Sequence, residues 1–246
     1  MIESVLLTAA RVSTFLQKQH LTNASGFFFE RDKRLFLVTS RHVMIDKESK
    51  HFPDRIEIEV HTDAGNVAKS TGFSIPLYRN RKSIWRQGKD AAGEIDVAVI
   101  ELERAALPKG TVYQAFSPAH LAGQADHVEV GSSLLVVGFP LGFHDGLHHL
   151  PVVRHAVVAS SFGLRFQGQG YFLTDARTHR GTSGAPVVMR VAQAVAGAAT
   201  EEKLPWRLLG VHSSRMDVGS RDNEVDEALG LNCAWYADIL LTLTKA

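Results

Sequence analysis

Cysteine is nearly missing: Cys233 is the only one in 246 residues, so no internal disulfide can form. That excludes a small disulfide-built scaffold and suggests a reducing compartment. An excess of charge of one sign is missing too, with 27 Lys and Arg against 26 Asp and Glu. No general field for polyanions follows, and nucleic acid is not an expected partner. No apolar run reaches the roughly 18 residues of a membrane helix, so no membrane partner is expected either. The first residues, Met1-Ile2-Glu3-Ser4-Val5-Leu6-Leu7, place an acid at position 3 and only a short apolar run. A secretory leader needs a basic start, a longer apolar stretch and a small-residue cleavage site. Together these absences lead to the expectation of a cytoplasmic protein.

What is present is a chain long enough for one domain of two lobes or two small domains, with a sizeable core. Its most informative stretch is Gly181-Thr182-Ser183-Gly184-Ala185-Pro186. Two glycines flanking a serine permit a tight turn that aims consecutive N–H groups at one point beside an exposed hydroxyl. Ser183 is therefore a candidate nucleophile, with the N–H groups of Gly181 and Ser183 as candidate oxyanion donors. A hydroxyl needs a base, and the base needs an orienting acid. His42, at the end of Phe36-Leu37-Val38-Thr39-Ser40-Arg41-His42-Val43, is the candidate base. Asp96, in Ile95-Asp96-Val97-Ala98-Val99-Ile100, is the candidate acid; a carboxylate in so apolar a run needs hydrogen-bonding partners, and the His42 ring is the obvious one.

Read together, these segments resemble the trypsin-like (chymotrypsin-fold) serine proteases, above all the bacterial branch of the high-temperature-requirement proteases and glutamyl endopeptidases. The matching residues are Thr39, His42 and Val43; Asp96 to Val99; and Gly181 to Pro186. Val137-Gly138-Phe139-Pro140-Leu141-Gly142 resembles a turn of the family's second barrel, and Gly210-Val211-His212 a wall of its specificity pocket. The resemblance implies an all-β fold of two six-stranded antiparallel barrels with a C-terminal helix. It places His42 and Asp96 in an N-terminal barrel over 1–120, and Ser183 in a C-terminal barrel over 121–246. It also implies a serine endopeptidase acting on protein or peptide substrates through an acyl-enzyme, without cofactor or metal.

Along the chain, residues 3–19 mix strand and helix periods, and the resemblance favours strand. A hairpin is expected from 26–30 and 35–39, strands over 56–61 and around 73–78, and a basic loop over 79–94. The stretch 105–126 reads as the crossing between barrels. Further strands are expected over 128–139, 152–162, 170–175, 186–189 and 208–212. The alanine-rich 192–202 is either a short helix or an insertion. Trp235, Ile239, Leu240 and Leu243 stand at helical spacing and predict a closing helix over 234–243. His144, Asp145, His148 and His149 offer a His pair at i and i+4, but Gly142 and Gly146 argue for a loop and against a metal site. Cys233 reads as packed, not reactive, and His179 as a solvated loop residue.

The resemblance also bears on specificity. Thr182 stands where members activated by proteolysis carry an aspartate, which argues against that activation switch, and Ala185 replaces a more usual glycine. The position six residues before Ser183, the pocket base in the family, is Arg177, a cation that disfavours Lys and Arg side chains. Thr178 and His212 match the residues that line the pocket of glutamyl endopeptidases, so the substrate-binding set is Arg177, Thr178 and His212, with Glu or Gln as the P1 residue; the competing reading is a pocket for small apolar groups. Two functional alternatives stay open: a dormant protease opened by a regulatory protein partner in a stress or defence response, and a catalytically idle barrel used for protein binding.

Overall fold

The computed structural model describes residues 2–123, 126–191, 204–215 and 229–245. The segment 192–202 lies outside the described residues. No helix among the described residues is long and apolar enough to cross a membrane.

The chain is all-β. Strands β1 (Ala9–Leu16), β2 (Gln19–Arg31), β3 (Arg34–Thr39), β4 (Arg55–His61), β5 (Ser70–Pro76), β8 (Trp85–Asp90) and β9 (Gly93–Leu102) form one antiparallel sheet in the order β5-β4-β1-β2-β3-β9-β8. It has seven strands, one more than expected. A separate hairpin joins β6 (Tyr78–Arg79) to β7 (Lys82–Ser83). Strands β10 (Ser133–Gly138), β11 (Val152–Val158), β12 (Tyr171–Asp175), β13 (Pro186–Arg190), β14 (Trp206–Arg215) and β15 (Leu231–Tyr236) close into a barrel in the order β10-β11-β12-β15-β14-β13. Between the two, the described residues of 103–132 hold short 3₁₀ turns and isolated bridges.

Strict side-chain alternation divides the interior into three cores. On β3, Leu35 and Leu37 face a core enclosed by the first sheet, with Ile56, Ile58, Trp85 and Ile100. Their neighbours Phe36 and Val38 face the opposite way, into a core shared by the two halves with Phe27, Val97, Val137, Val211 and Trp235. On β10, Leu134 and Val136 fill the barrel beside Phe172, Val187 and Ala234. The apolar runs of β3, β9 and β10 thus read as continuous because both faces are buried. The β2–β3 connection is a two-residue turn in which Asp32 and Lys33 both have positive φ, 50° and 63°, matching the twist of the strands it joins.

Three local expectations change. The opening segment 3–19 begins as a 3₁₀ turn, Ser4–Thr8, and becomes strand only at Ala9. The expected basic loop over 79–94 is mostly strand. Strand β8 lies at the sheet edge, paired only with β9, and leaves Arg86 and Lys89 exposed, so its composition resembles a loop's. The closing helix, α2, spans only Ile239–Leu243, because 234–236 belong to β15, where Trp235 pairs with Tyr171 and Val211. Leu240 and Leu243 of α2 pack into the shared core, and its last carbonyls accept hydrogen bonds from Arg31, Arg34 and Arg86 of the first sheet.

The two halves are also joined by hydrogen bonds through Ser25 of β2, which is fully buried. Its N–H donates to the Ser183 carbonyl (2.9 Å), and its hydroxyl donates to the Gly181 carbonyl (2.8 Å) while accepting from Phe139 N–H (2.9 Å). Its own carbonyl accepts from Thr39 Oγ1 at 2.7 Å. Ser25→Ala leaves a buried donor and acceptor without partners, each worth roughly 1–3 kcal/mol. The expected outcome is a loss of about 2–4 kcal/mol in unfolding free energy, read from the urea midpoint at unchanged m-value.

Candidate active site

Strand β3 runs into a single helical turn, α1 (Arg41–Met44), that carries His42. Ser40, which precedes the turn, donates its hydroxyl to the His212 carbonyl of β14. Asp96 lies on β9, the neighbour of β3, and grips the histidine twice. Its Oδ1 accepts the His42 backbone N–H at 2.8 Å, and its Oδ2 meets His42 Nδ1 at 2.7 Å. The hydroxyl of Ser213 also donates to Oδ2. Burial pushes the Asp96 pKa upward, but the hydrogen bond and charge of His42, with the Ser213 hydroxyl, outweigh it and hold the carboxyl below its usual range. Burial likewise pushes the His42 pKa down, and the Asp96 hydrogen bond and charge more than reverse it, so the imidazole is more basic than usual. With Nδ1 donating to the carboxylate, the neutral ring keeps its proton there and leaves Nε2 as the basic atom.

The turn bearing Ser183 is fixed by its carbonyls. Those of Gly181 and Ser183 are held by Ser25, and that of Arg180 accepts from Leu141 N–H at 2.5 Å. A trans peptide directs its N–H opposite to its carbonyl, so the Gly181 N–H points away from the 139–142 turn. Neither the Gly181 nor the Ser183 N–H donates a backbone hydrogen bond among the described residues. Gly181 (φ 91°) and Gly184 (φ 86°) adopt conformations that disfavour side chains. A Cβ on Gly184 would also lie 2.2 Å from the Ser25 carbonyl oxygen. The Ser183 hydroxyl donates to the Ser213 carbonyl at 2.9 Å and makes no hydrogen bond to His42.

The three residues of the suggested specificity set differ in placement. His212 is buried, and its Nδ1 has no hydrogen-bond partner among the described residues. Burial, with a smaller effect of the His42 charge, pushes its pKa down to about 4, so its ring is neutral at pH 7. Thr178 is buried as well and donates its hydroxyl to Asn232 Oδ1 at 2.5 Å; Asn232 in turn donates to the carbonyls of Ala176 and Gly230. Arg177 is exposed, and its carbonyl accepts from Arg154 Nε.

A cavity of 970 Å³ lies beside His42 and Asp96, lined by residues of both halves. Its lining includes His42, Asp96 and Ser213 but not Ser183, Thr178 or His212. Cys233 also lines it; burial raises this thiol's pKa to about 11, which makes it a poor nucleophile at neutral pH. The histidine-rich stretch forms a loop. His148 Nδ1 meets Asp145 Oδ2 at 2.7 Å, His144 stacks on His149, and no group of three or more His, Cys, Asp or Glu among the described residues is arranged to hold a metal.

Two site residues escaped the sequence reading, Ser25 and Ser213. Ser213 had a signal, being the hydroxyl directly after Gly210-Val211-His212. Ser25 had none, since it is defined by bonds to residues more than 100 positions away.

A model of the trypsin-like peptidase domain matches residues 24–197. Among solved structures, the serine endoprotease from Yersinia pestis has a TM-score of 0.56 at 14% identity, covering 98% of this chain and 62% of that one. The present chain therefore spans less than two thirds of that protein's length. The Rv3671c protease from M. tuberculosis, in its active form, has a TM-score of 0.52 at 13% identity, covering 97% of this chain and 80% of that one. At such identities the likeness is one of fold. No curated protein matches the sequence. By the extent of the domain match, the chain belongs to the trypsin-like peptidase family.

Proposed function

We propose that the protein is a serine endopeptidase whose triad is His42, Asp96 and Ser183, with Gly181 and Ser183 N–H groups as the oxyanion site. The observation that carries this reading is the double hold of Asp96 on His42, which orients the ring and leaves Nε2 basic. The Ser183 hydroxyl rotates from the Ser213 carbonyl toward Nε2, gives up its proton there and attacks the peptide carbonyl carbon. Negative charge collects on the carbonyl oxygen, which the two N–H groups receive. As the C–N bond breaks, His42 returns the proton to the departing amine. Water then attacks the acyl-enzyme by the same route and releases the acid.

For P1, we read a non-tryptic pocket built on Thr178 and His212, with Arg177 at its outer edge. A neutral His212 presents no cation inside, and the Thr178 proton is committed to Asn232. A carboxamide, which both donates and accepts, suits that lining better than a carboxylate.

A second reading has a specific support: the resting Ser183 hydroxyl is turned away from His42, as a protease awaiting an activator would hold it. Substrate class and any regulatory protein partner follow from these two readings together.

Labelling with a fluorophosphonate, followed by intact mass, tests the reading directly. Wild type takes one adduct and Ser183→Ala none; an unlabelled wild type overturns the self-sufficient triad and favours the dormant form. In the active enzyme, kcat/KM falls as pH drops, because protonated His42 cannot accept the serine proton. The midpoint of that limb is expected above the ordinary histidine value of about 6.5, and Asp96→Asn lowers kcat by about 10⁴. Across peptides differing only at P1, Gln is expected to exceed Glu at pH 7, and both to exceed Lys and Arg by at least about tenfold; a preference for Arg would remove the pocket assignment.

A further inference from the structure

The loop joining β10 to β11 is anchored at both ends of its span. Its first residues, Pro140–Gly142, form a 3₁₀ turn in which Leu141 N–H donates to the Arg180 carbonyl at 2.5 Å. That carbonyl and the Gly181 N–H belong to one peptide unit, so Leu141 sets the direction of both. Farther along, His61 of β4 donates Nε2–H to the His148 carbonyl at 2.8 Å and ties the loop to the first sheet. Between these anchors the loop closes on itself, with His149 N–H on the Asp145 carbonyl (2.7 Å) and Asp145 N–H on the Leu150 carbonyl (3.1 Å). Leu141 and His149 both have positive φ, 54° and 55°, a conformation that residues with side chains keep only where their surroundings hold them.

A ring stack supplies that hold. The imidazoles of His144 and His149 lie 5.6 Å apart between centroids and 26° from parallel. His144 donates Nδ1–H to the Gly142 carbonyl at 2.7 Å and packs against Phe139. His149 Nδ1 is closed off from water and has no hydrogen-bond partner among the described residues. Neutral rings suit this arrangement, and two cations do not. Like charges in stacked contact repel, and a proton on His149 Nδ1 is a buried donor without an acceptor. Imidazole is the side chain that ordinarily changes charge between pH 5 and 8.

The neighbours offer no compensation. At the loop's contacts the ionisable side chains are His20, which bonds Asn23 beside Gly142, His61 of β4, and His179 and Arg180 ahead of Gly181, with Asp145 and His148 in the loop itself. The one carboxylate among them is already taken. Asp145 Oδ2 meets His148 Nδ1 at 2.7 Å, and Oδ1 accepts the N–H groups of Leu147 and His148. The His148 hydrogen bond, with those two N–H groups, holds this carboxyl down to about 2, so it stays ionised at pH 5.5 and its pairing with His148 survives mild acid.

We infer that residues 141–150 form an acid-sensitive strap: protonation of the stacked His144 and His149 parts the rings, opens the loop and withdraws Leu141 N–H from the Arg180 carbonyl. The peptide carrying the Gly181 N–H is then free to turn. In the open loop both imidazoles stand in water and take protons without opposition, so the open state binds more protons and gains as pH falls. The strap is closed at pH 7.5 and open at pH 5.5. The opening itself is independent of the chemistry above; its effect on catalysis rests on the peptidase reading, in which Gly181 N–H is an oxyanion donor.

Amide hydrogen exchange on Ser183→Ala, which cannot cut itself, tests the strap, with exchange times scaled for the intrinsic effect of pH. From pH 7.5 to 5.5, protection over 141–150 is expected to fall at least tenfold. Over 179–185, which includes the Thr182 N–H bonded to the His179 carbonyl, it should fall at least threefold. Adding His149→Asn, which tolerates the same backbone conformation and takes no proton, should hold 141–150 within threefold across that range. His144→Phe keeps a ring against His149 but removes one charge, and should cut the acid response to about a third. No acid response in Ser183→Ala, or a response undiminished by His149→Asn, overturns the strap; a response confined to 141–150 overturns its coupling to the Ser183 turn. With Ser183 intact, the fall in fluorophosphonate labelling rate over the same range should be at least threefold smaller in His149→Asn than in wild type, since only His42 then titrates against the reaction. Labelling at pH 7.5 with exchange that ignores acid removes the strap and leaves the peptidase, whereas an acid-opened loop in an unlabelled protein removes the self-sufficient triad and leaves the strap.

Discussion

The arrangement of the whole site depends on one buried serine. Ser25 sits on a strand of the first sheet, yet three of the four hydrogen bonds made through its backbone and side chain reach the barrel half, at Gly181, Ser183 and Phe139. The fourth returns to Thr39, at the end of the strand that leads to His42. One residue therefore ties the turn bearing Ser183 to the strand that leads to His42. The shared core of Phe27, Phe36, Val38, Val137, Val211 and Trp235 supplies the adhesion between halves, but apolar contact is non-directional. Hydrogen bonds of fixed geometry supply the register, and an unmade one in so dry a place costs more than a made one gains. The close approach of Gly184 to Ser25 and Thr39 belongs to the same joint, since a Cβ would have no room there.

Asp96 poses the opposite problem, a charge in a mostly buried setting. Such a carboxylate persists only if its oxygens are satisfied, and here a backbone N–H, an imidazole N–H and a hydroxyl do so. The same contacts that keep Asp96 ionised make His42 a stronger base, so folding and reactivity draw on one set of bonds. His212, on β14, lacks this help. Its Nδ1 finds no partner among the described residues, burial dominates, and it is left neutral at pH 7. The two histidines thus have opposite pKa shifts because only one faces a carboxylate.

How much of this was legible follows from the range of each interaction. The motifs around His42, Asp96 and Ser183 were readable because each couples a strand pattern to a polar residue within a few positions, and the alternation of Ile56-Glu57-Ile58-Glu59-Val60 marked a half-solvated strand. Strand β8 was not, because an edge strand with one neighbour and an exposed face carries the charge of a loop. The closing helix was overextended because Trp235 falls by chance at helical spacing from Ile239, while its pairing with Tyr171 and Val211 involves residues distant in sequence. Ser25 lies in an ordinary Asn23-Ala24-Ser25-Gly26 stretch, and nothing local distinguishes a serine that will bridge two halves from one facing water. Arg177 shows the limit of positional reasoning: its place before Ser183 was plain, but the exposure of its side chain depends on how the loop packs.

The resting orientation of Ser183 can be weighed against these constraints. A single neutral hydrogen bond, from its hydroxyl to the Ser213 carbonyl, contributes about 0.5–1.5 kcal/mol net, a factor of roughly two to ten in population. Rotating the hydroxyl toward His42 exchanges that bond for another of similar or greater strength, so it is a shallow preference and not a lock. A lock would have to displace something costly, and the obvious element is the Gly181 turn. That turn is held by its carbonyls, which Ser25 and Leu141 grip, and neither the Gly181 nor the Ser183 N–H donates a backbone hydrogen bond among the described residues. The Ser183 hydroxyl is thus held by one exchangeable bond, whereas the backbone of its turn is held by three.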